Sequence, residues 1–305
     1  MKTFRVLAVG GVVVAFGLAM LGSWTRINQA GMTCPDWPLC RGAIVPVLHG
    51  GVVYEWTHRL IALIETLVIA SVIAAGLRVR SQIPALHGLL IALGGVFVLQ
   101  VLIGGATIAL ANSPISVMIH WGTAMLLLAT LTSIAVLSFA RGERGEPPSF
   151  GWRGTGPLFL ATAWLFVTMC AGAFVSSSGF GLACPSVPGC GPGFLGQNVP
   201  QDLQMMHRIL AFSFVVVAVA AMMLVPRVSP RPRRALHVGL GLMLLQIALG
   251  GLNVVLLMPT PLRLAHAANA VLTFLSFVIA TVFASLDAER VSEMPAVSSG
   301  LRVPS

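Results

Sequence analysis

Eight long apolar runs, separated by short polar stretches, divide this chain of 305 residues. A helix needs about 20 apolar residues to cross the hydrocarbon core of a bilayer, and each run reaches that length. The runs cover residues 5–24, 55–77, 85–109, 115–140, 156–178, 201–226, 235–257 and 262–286. Only 9% of the residues are charged, against roughly 25% in a soluble domain, which excludes soluble enzyme folds. The sequence therefore predicts an all-α integral membrane protein with eight transmembrane helices.

Basic residues between the runs predict the orientation. The net charge of +9 is spread over short clusters beside apolar runs, a pattern that indicates membrane topology and not nucleic-acid binding. An N-terminus in the cytoplasm places 13 basic residues on the cytoplasmic side and 5 on or near the outer side. The first set is Lys2, Arg5, Arg78, Arg80, Arg141, Arg144, Arg153, Arg227, Arg231, Arg233, Arg234, Arg290 and Arg302; the second is Arg26, Arg41, Arg59, Arg208 and Arg263. Both termini are then cytoplasmic, and loops 25–54 and 179–200 face outward.

A unit of four spans occurs twice. The motif C-P-x-x-P-x-C recurs after 150 residues, a His-Arg pair after 149, and a glutamine with a following Gly-Gly pair and a later histidine after 146. The landmarks are Cys34–Cys40, His58-Arg59, Gln100, Gly104-Gly105 and His120, then Cys184–Cys190, His207-Arg208, Gln246, Gly250-Gly251 and His266. This indicates a tandem duplication giving two parallel four-helix bundles, residues 1–150 and 151–290, with glycine pairs that allow close helix packing. The first run has a counterpart in the repeat, so it is not interpreted as a signal peptide. The polar tail after Ser285, which includes residues 291–305, is predicted to be disordered in the cytoplasm.

Four of the seven histidines occupy equivalent positions of the repeat. His58, His120, His207 and His266 each lie 20 or 21 residues from the cytoplasmic end of a span, about 30 Å at 1.5 Å per residue. Ionisable groups at membrane depth are costly and are usually functional. Two imidazoles that face each other at one depth suit the axial positions of a haem iron, whereas zinc needs further ligands that neither pair has nearby. The remaining histidines lie in a loop or near cytoplasmic ends, where solvated roles are expected.

The two halves differ in one carboxyl group beside the first histidine. Glu55 lies three residues before His58, on the same helical face, and its counterpart is Gln204. A buried carboxyl group can act as a general base, so Glu55 is a candidate catalytic residue; the alternative is an ion pair with Arg59 that only holds the helix end. We interpret this as the only chemical difference between the halves. Arg59 and Arg208 either pair with haem propionates or extend their guanidinium groups into the interface.

The two outer cysteine pairs are predicted disulfides, because disulfides persist on the oxidising side of a membrane. Cys184–Cys190 is expected to be structural. Cys34–Cys40 is either structural or an exposed bridge that exchanges electrons or thiols, since it belongs to the half that carries Glu55.

Taken together, these residues resemble the haem A synthase family, in its bacterial eight-helix form. The resemblance covers nearly the whole chain, through E-x-x-H-R in the second span, H-R in the sixth, the later histidines and both cysteine pairs. It implies oxidation of the C8 methyl group of haem O to a formyl group through a hydroxylated intermediate, for use in respiratory oxidases. It also implies that His58 and His120 hold the haem O substrate, that His207 and His266 hold a haem b cofactor, and that Glu55 is the acid–base residue.

Two other functions remain open from the sequence. A dihaem b-type electron-transfer protein would share the spans and the histidines without modifying either haem. A haem exporter would share the repeat but would need displaceable ligands. For a haem A synthase in a bacterial cell membrane, the expected partners are membrane lipid, the haem O synthase, oxidase assembly factors and a second copy of the chain.

Overall fold

Helices dominate the computed structural model, which describes residues 1–140, 155–191, 194–225 and 230–292. Eight of them are long and apolar enough to cross a membrane, which confirms the predicted all-α membrane fold. They are α1 (Lys2–Ile27), α2 (Gly51–Val79), α3 (Leu86–Ala109), α4 (Pro114–Phe139), α5 (Gly156–Ser177), α6 (Val199–Leu224), α7 (Pro230–Val255) and α8 (Thr260–Ser292). Two short 3-10 helices, Arg80–Gln82 and Phe180–Leu182, follow α2 and α5.

Local capping fixes several helix starts. The Ser113 side chain accepts a hydrogen bond from the Ser116 amide at the start of α4, and the Asn198 side chain accepts one from Gln201 at the start of α6. These contacts satisfy backbone donors that have no partner within the helix. The tight turns between α3 and α4 and between α7 and α8 each contain two consecutive residues of positive φ, Ala111 with Asn112 and Leu257 with Met258.

Both halves contain the same helix contacts. In the first half α1 packs on α2 and α4, and α3 packs on α2 and α4; in the second half α5 packs on α6 and α8, and α7 packs on α6 and α8. Between the halves, α4 contacts α5 and α8, and α1 contacts α8. Consequently α4 and α8 are central, with 61% of their spanning windows buried against 11–33% for the other six helices. The contacts agree with the duplication, and the parallel arrangement of two bundles stays a prediction.

The disulfide loops and the two tight turns lie at one end of the helices, which we call the loop end. The Asn112 side chain donates to the Gly31 carbonyl oxygen, and Met258 lies against Gly181. Gly31 and Gly181 are equivalent positions of the repeat, 150 residues apart. Each tight turn therefore packs beside the disulfide loop of its own half.

The predicted spans match the helices to within a few residues, but the prediction for the tail was wrong in part. Helix α8 continues to Ser292; Leu286 and Asp287 are buried, and Leu286 belongs to the hydrophobic core. The remainder of the tail, 293–305, lies outside the described residues, as do five of the basic residues used for orientation, Arg141, Arg144, Arg153, Arg227 and Arg302.

Candidate functional site

Two disulfide-closed loops cover the loop end of the bundle. Cys34 is bonded to Cys40 and Cys184 to Cys190, as predicted, with Cα–Cα distances of 4.5 and 4.4 Å. In the first loop the Asp36 carboxylate accepts hydrogen bonds from the Gly42 and Arg41 amides, at 2.8 and 2.5 Å. These backbone donors, that of Gly42 first, lower the pKa of Asp36.

Glu55 anchors the first loop to α2. Its Oε2 accepts hydrogen bonds from the Cys34 amide at 2.8 Å and from the Thr33 hydroxyl at 2.9 Å, and its Oε1 pairs with the Arg59 guanidinium at 2.8 Å. The side chain is 4% exposed. The ion pair considered as the alternative role of Glu55 is therefore present, and both carboxylate oxygens are engaged in the loop.

Gln204 makes the matching contact in the second half. Its side-chain oxygen accepts a hydrogen bond from the Cys184 amide at 2.5 Å, and its side-chain nitrogen donates to the Gly181 carbonyl at 2.6 Å. Because Cys184 is the repeat counterpart of Cys34, an uncharged amide holds the second loop where a carboxylate holds the first. Loop anchoring by itself does not require an acid at this position.

Arg59 and Arg208 bind the carbonyl groups of their own loops. Arg59 donates to the carbonyl oxygens of residues 34, 36 and 39, and Arg208 donates to those of residues 184, 186 and 189. Each acceptor in the second loop lies 150 residues after its equivalent in the first. Both guanidinium groups thus fasten a disulfide loop to the following helix, and the prediction that they bind propionates stays a prediction.

Each of the four predicted haem-binding histidines packs against a glycine of a neighbouring helix. An ideal Cβ atom would lie 3.0 Å from His58 Cε1 if built on Gly22, 3.2 Å from His120 if built on Gly104, 2.7 Å from His207 if built on Gly172, and 3.3 Å from His266 if built on Gly250. Any larger residue would crowd the imidazole ring. From the sequence, Gly104 and Gly250 are predicted to serve helix packing. Gly22 and Gly172 carried no prediction, although their separation of 150 residues repeats the loop spacing.

The four histidines form two pairs within the bundle of helices. His58 lies near His120, and His207 lies near His266, with which it lines one cavity. His207 Nδ1 lies 3.1 Å from the Thr168 carbonyl oxygen, which can only accept, so Nδ1 carries the proton and the lone pair of Nε2 is free for a metal. His58 faces the Leu18 backbone carbonyl, the repeat counterpart of Thr168, whereas the Nδ1 atom of His120 is buried without a hydrogen-bond partner.

Amide side chains on α3 and α7 support the later histidine of each pair. In the second half the Gln246 side-chain nitrogen lies 3.2 Å from the His266 ring and donates to its backbone carbonyl at 3.0 Å. In the first half Gln100 instead accepts from the Thr123 hydroxyl, which is itself close to the His120 carbonyl. Of these two equivalent glutamines, Gln246 has its side-chain nitrogen beside the histidine ring, whereas the hydrogen bond found for Gln100 is with Thr123.

A cavity of about 290 Å³ contains the second histidine pair. His207 and His266 line it, with Gly172 and Gly250 beside them and mainly apolar residues elsewhere. Enclosed, mostly apolar cavities with a few polar groups are typical of cofactor sites.

Glu65 is an ionisable residue that the sequence analysis missed. It lies two helical turns beyond His58 on α2, is 1% exposed, and neither carboxylate oxygen has a hydrogen-bond partner. Its counterpart in the repeat is Phe214, which packs edge-on against Phe277 at 5.1 Å between ring centroids. The statement that Glu55 and Gln204 are the only chemical difference between the halves was therefore wrong. The signal was available, since a carboxyl residue inside an apolar span stands out by itself.

The fold and the site define a class of multi-pass membrane protein in which each of two repeated helical units carries a buried histidine pair below a disulfide-closed loop. A sequence model of the COX15-CtaA family, described as cytochrome oxidase assembly protein, matches residues 5–52 and 49–278. The chain belongs to this family.

Several bacterial proteins named heme A synthase are similar over most of this chain. The protein from Symbiobacterium thermophilum is 25% identical over 266 residues, covering 83% of this chain and 86% of its own. The protein from Geobacillus thermodenitrificans is 26% identical over 254 residues, with 81% and 80% coverage. The protein from Bacillus licheniformis is 25% identical over 224 residues, with 69% and 74% coverage.

Proposed function

We propose that this protein is a haem A synthase, which oxidises the C8 methyl group of haem O to a formyl group through a hydroxylated intermediate. The observation that carries the proposal is the presence of two equivalent pairs of buried histidines, each ring packed against a glycine. Membership of the family and the names of the similar proteins support the same activity. One pair of ligands would hold the substrate and the other a resident cofactor.

In the first half, His58 and His120 would hold the iron of haem O. Both rings are buried, and each packs against a glycine of a neighbouring helix. Glu55 lies one helical turn from His58 and would be the acid–base residue, accepting a proton during oxidation of the methyl group.

For that role Glu55 has to exchange one of its present contacts for the substrate. The hydrogen bond from the Thr33 hydroxyl is the easiest to release, because that hydroxyl also lies 2.9 Å from the Ala30 carbonyl and keeps an acceptor there. Oε2 would then be free to accept a proton while the Cys34 amide still holds the loop.

In the second half, His207 and His266 would hold haem b. The residues fit this group, because both histidines line one largely apolar cavity and the Thr168 carbonyl fixes the protonation of His207 so that Nε2 can bind iron. Haem b supplies one-electron redox chemistry when bound. The protein contributes the ligands, the largely apolar surroundings and, through Gln246, a hydrogen bond to the His266 backbone carbonyl.

Orientation and partners belong to the proposal as well. The distribution of basic residues supports cytoplasmic termini and haem sites near the outer face of a bacterial cell membrane. Direct transfer from the haem O synthase is expected, because a hydrophobic reactive haem is better passed on than released. Oxidase assembly factors and a second copy of the chain are further expected partners.

A dihaem electron-transfer protein is the second candidate function. One observation favours it: the contacts of Glu55 are fully accounted for by loop anchoring, so its presence does not demand catalysis. The two candidates differ in whether the porphyrin is altered, which can be measured.

The test is to express the chain together with a haem O synthase in a host that makes no haem A. Haems extracted from the membranes are then separated by chromatography and identified by mass spectrometry. Haem A or its hydroxylated precursor is the expected product, and it should vanish in His58→Ala and His120→Ala variants. Finding only haem B and unchanged haem O on a fully loaded protein would support the electron carrier instead.

A further inference from the structure

Three arginines line the cavity that contains the second histidine pair. Arg208 fastens the second disulfide loop, and the other two are Arg26 and Arg263. Arg26 comes from α1, in the first half of the chain, and Arg263 comes from α8. Arg26 donates to the Ser176 hydroxyl at 2.9 Å and to its carbonyl at 3.2 Å, and Arg263 lines the same cavity. Arg263 Nε is buried and has no hydrogen-bond partner.

These positive charges have no acid to balance them inside the cavity. Among the described residues that line it, none is Asp or Glu. Two like charges facing one largely apolar space, with a buried donor left unpaired, are unfavourable unless an anion joins them. The arrangement therefore points to a ligand that brings negative charge.

The position of the arginines fits the acidic edge of a ligand held by the histidines. Arg263 lies three residues before His266, about 4.5 Å nearer the loop end along α8. Ser176, which binds Arg26, lies four residues beyond Gly172, about 6 Å nearer the loop end than the glycine that touches His207. Both arginines thus stand about one helical turn from the histidine pair, on the same side.

The repeat shows that this pair is specific to one half. The equivalent of Arg26 is Ser176, 150 residues later, and the equivalent of Arg263 is Val117, 146 residues earlier. The repeat thus carries an uncharged serine and an uncharged valine at the positions equivalent to the two arginines. The two sites accordingly differ in charge although their histidines match.

We infer that Arg26 and Arg263 bind the porphyrin carboxylates in the second half and retain that haem as a resident group. This inference rests on the proposed function and deepens it. Each guanidinium group offers charge-assisted hydrogen bonds to a carboxylate, and the buried Nε of Arg263 gains its missing acceptor. The first site, without these two cations, holds its porphyrin less tightly and releases it as product. Because Arg26 belongs to α1, the second site is complete only when the first half is present.

The experiment compares haem b with haem b dimethyl ester, in which both carboxylates are blocked. The full-length chain carries His58→Ala and His120→Ala, so only the second pair can bind, and it is produced under haem limitation and titrated by its Soret absorbance. The free acid is expected to bind at least about tenfold more tightly than the ester. Arg26→Gln with Arg263→Gln should bring this ratio close to one, and Arg26→Lys with Arg263→Lys should restore part of it.

Two controls separate the possible failures. Arg233→Gln with Arg234→Gln makes the same change of charge at the opposite end of α7 and should leave the ratio unchanged. If haem b still binds more tightly than its dimethyl ester after both glutamine substitutions, the inference about the arginines is refuted and the proposed function is not. The cavity arginines then bind another anion, such as a lipid phosphate. If the chain that keeps both arginines binds neither haem b nor its ester, the proposed function fails and this inference fails with it.

Discussion

Two substitutions at Glu55 separate its catalytic and structural roles. Glutamine at this position can reproduce the contacts that Gln204 makes in the second half, with its oxygen accepting from the Cys34 amide and its nitrogen facing the Gly31 carbonyl. It cannot accept a proton as a carboxylate does. Glu55→Gln should therefore keep the loop closed but abolish haem A formation. Glu55→Ala should lose both the closed loop and haem A formation.

The energies follow from the contacts. Glu55→Gln removes one ion pair, but Arg59 keeps its loop carbonyls, as Arg208 does without any acid, so the expected cost is about 1 kcal/mol. Glu55→Ala leaves the buried Cys34 amide without an acceptor, which costs about 1–3 kcal/mol in addition. Loss of a general base lowers turnover by about 10²–10⁴-fold.

The assay combines the ratio of extracted haems with hydrogen exchange of residues 28–50, followed by mass spectrometry. Exchange in the loop should stay within about fivefold of the unsubstituted protein in Glu55→Gln, and should be about 30- to 900-fold faster than the unsubstituted protein in Glu55→Ala. Gln204→Ala provides the matched control, since it should loosen only the second loop. Full haem A formation by Glu55→Gln would refute the acid–base role, and a loosened first loop in that variant would refute the equivalence with Gln204.

Three further predictions concern the glycines that pack against the histidines, the buried carboxyl group of Glu65 and the first disulfide loop. Gly172→Ala places a methyl group 2.7 Å from the His207 ring and should reduce haem bound in the second half, measured by Soret absorbance, whereas Gly17→Ala, which meets nothing within 4 Å, should not. Glu65→Leu should raise the free energy of unfolding of the haem-free protein by about 1–3 kcal/mol in denaturant titrations, because it removes an unpartnered buried carboxyl; a decrease would contradict this. Backbone hydrogen bonds lower the pKa of Asp36, so this contact is complete above about pH 4 and is lost as the pH falls through the lowered value. Pepsin should then cut the first loop faster than the second at the lowest pH, and equal rates would count against it.

Hydropathy and spacing predicted the spans, the disulfides and the histidine pairs, because each of these leaves a signal along one segment of chain. The glycine contacts and the arginine contacts depend instead on how helices are rotated about their axes. In a membrane both the lipid-facing and the buried face of a helix are apolar, so the sequence carries little periodic signal for that rotation. Gly22 and Gly172 could be predicted only by comparing the two halves of the repeat residue by residue. The position of Arg26 could not be predicted in this way, since it lines the cavity of the other half.

Duplication makes each departure from symmetry informative. The two loops are closed in the same way, by an arginine and by an acceptor for a cysteine amide, so loop anchoring accounts for the contacts of Glu55 but does not require its charge. The first half has a second buried acid, Glu65, and the cavity of the second histidine pair has Arg26 and Arg263, whose repeat equivalents are Ser176 and Val117. Buried charge is expensive in a membrane and persists where it is used. Acids beside one histidine pair and cations beside the other are what proton transfer at one site and carboxylate binding at the other require, and a symmetric pair of electron-carrying haems gives no reason for either.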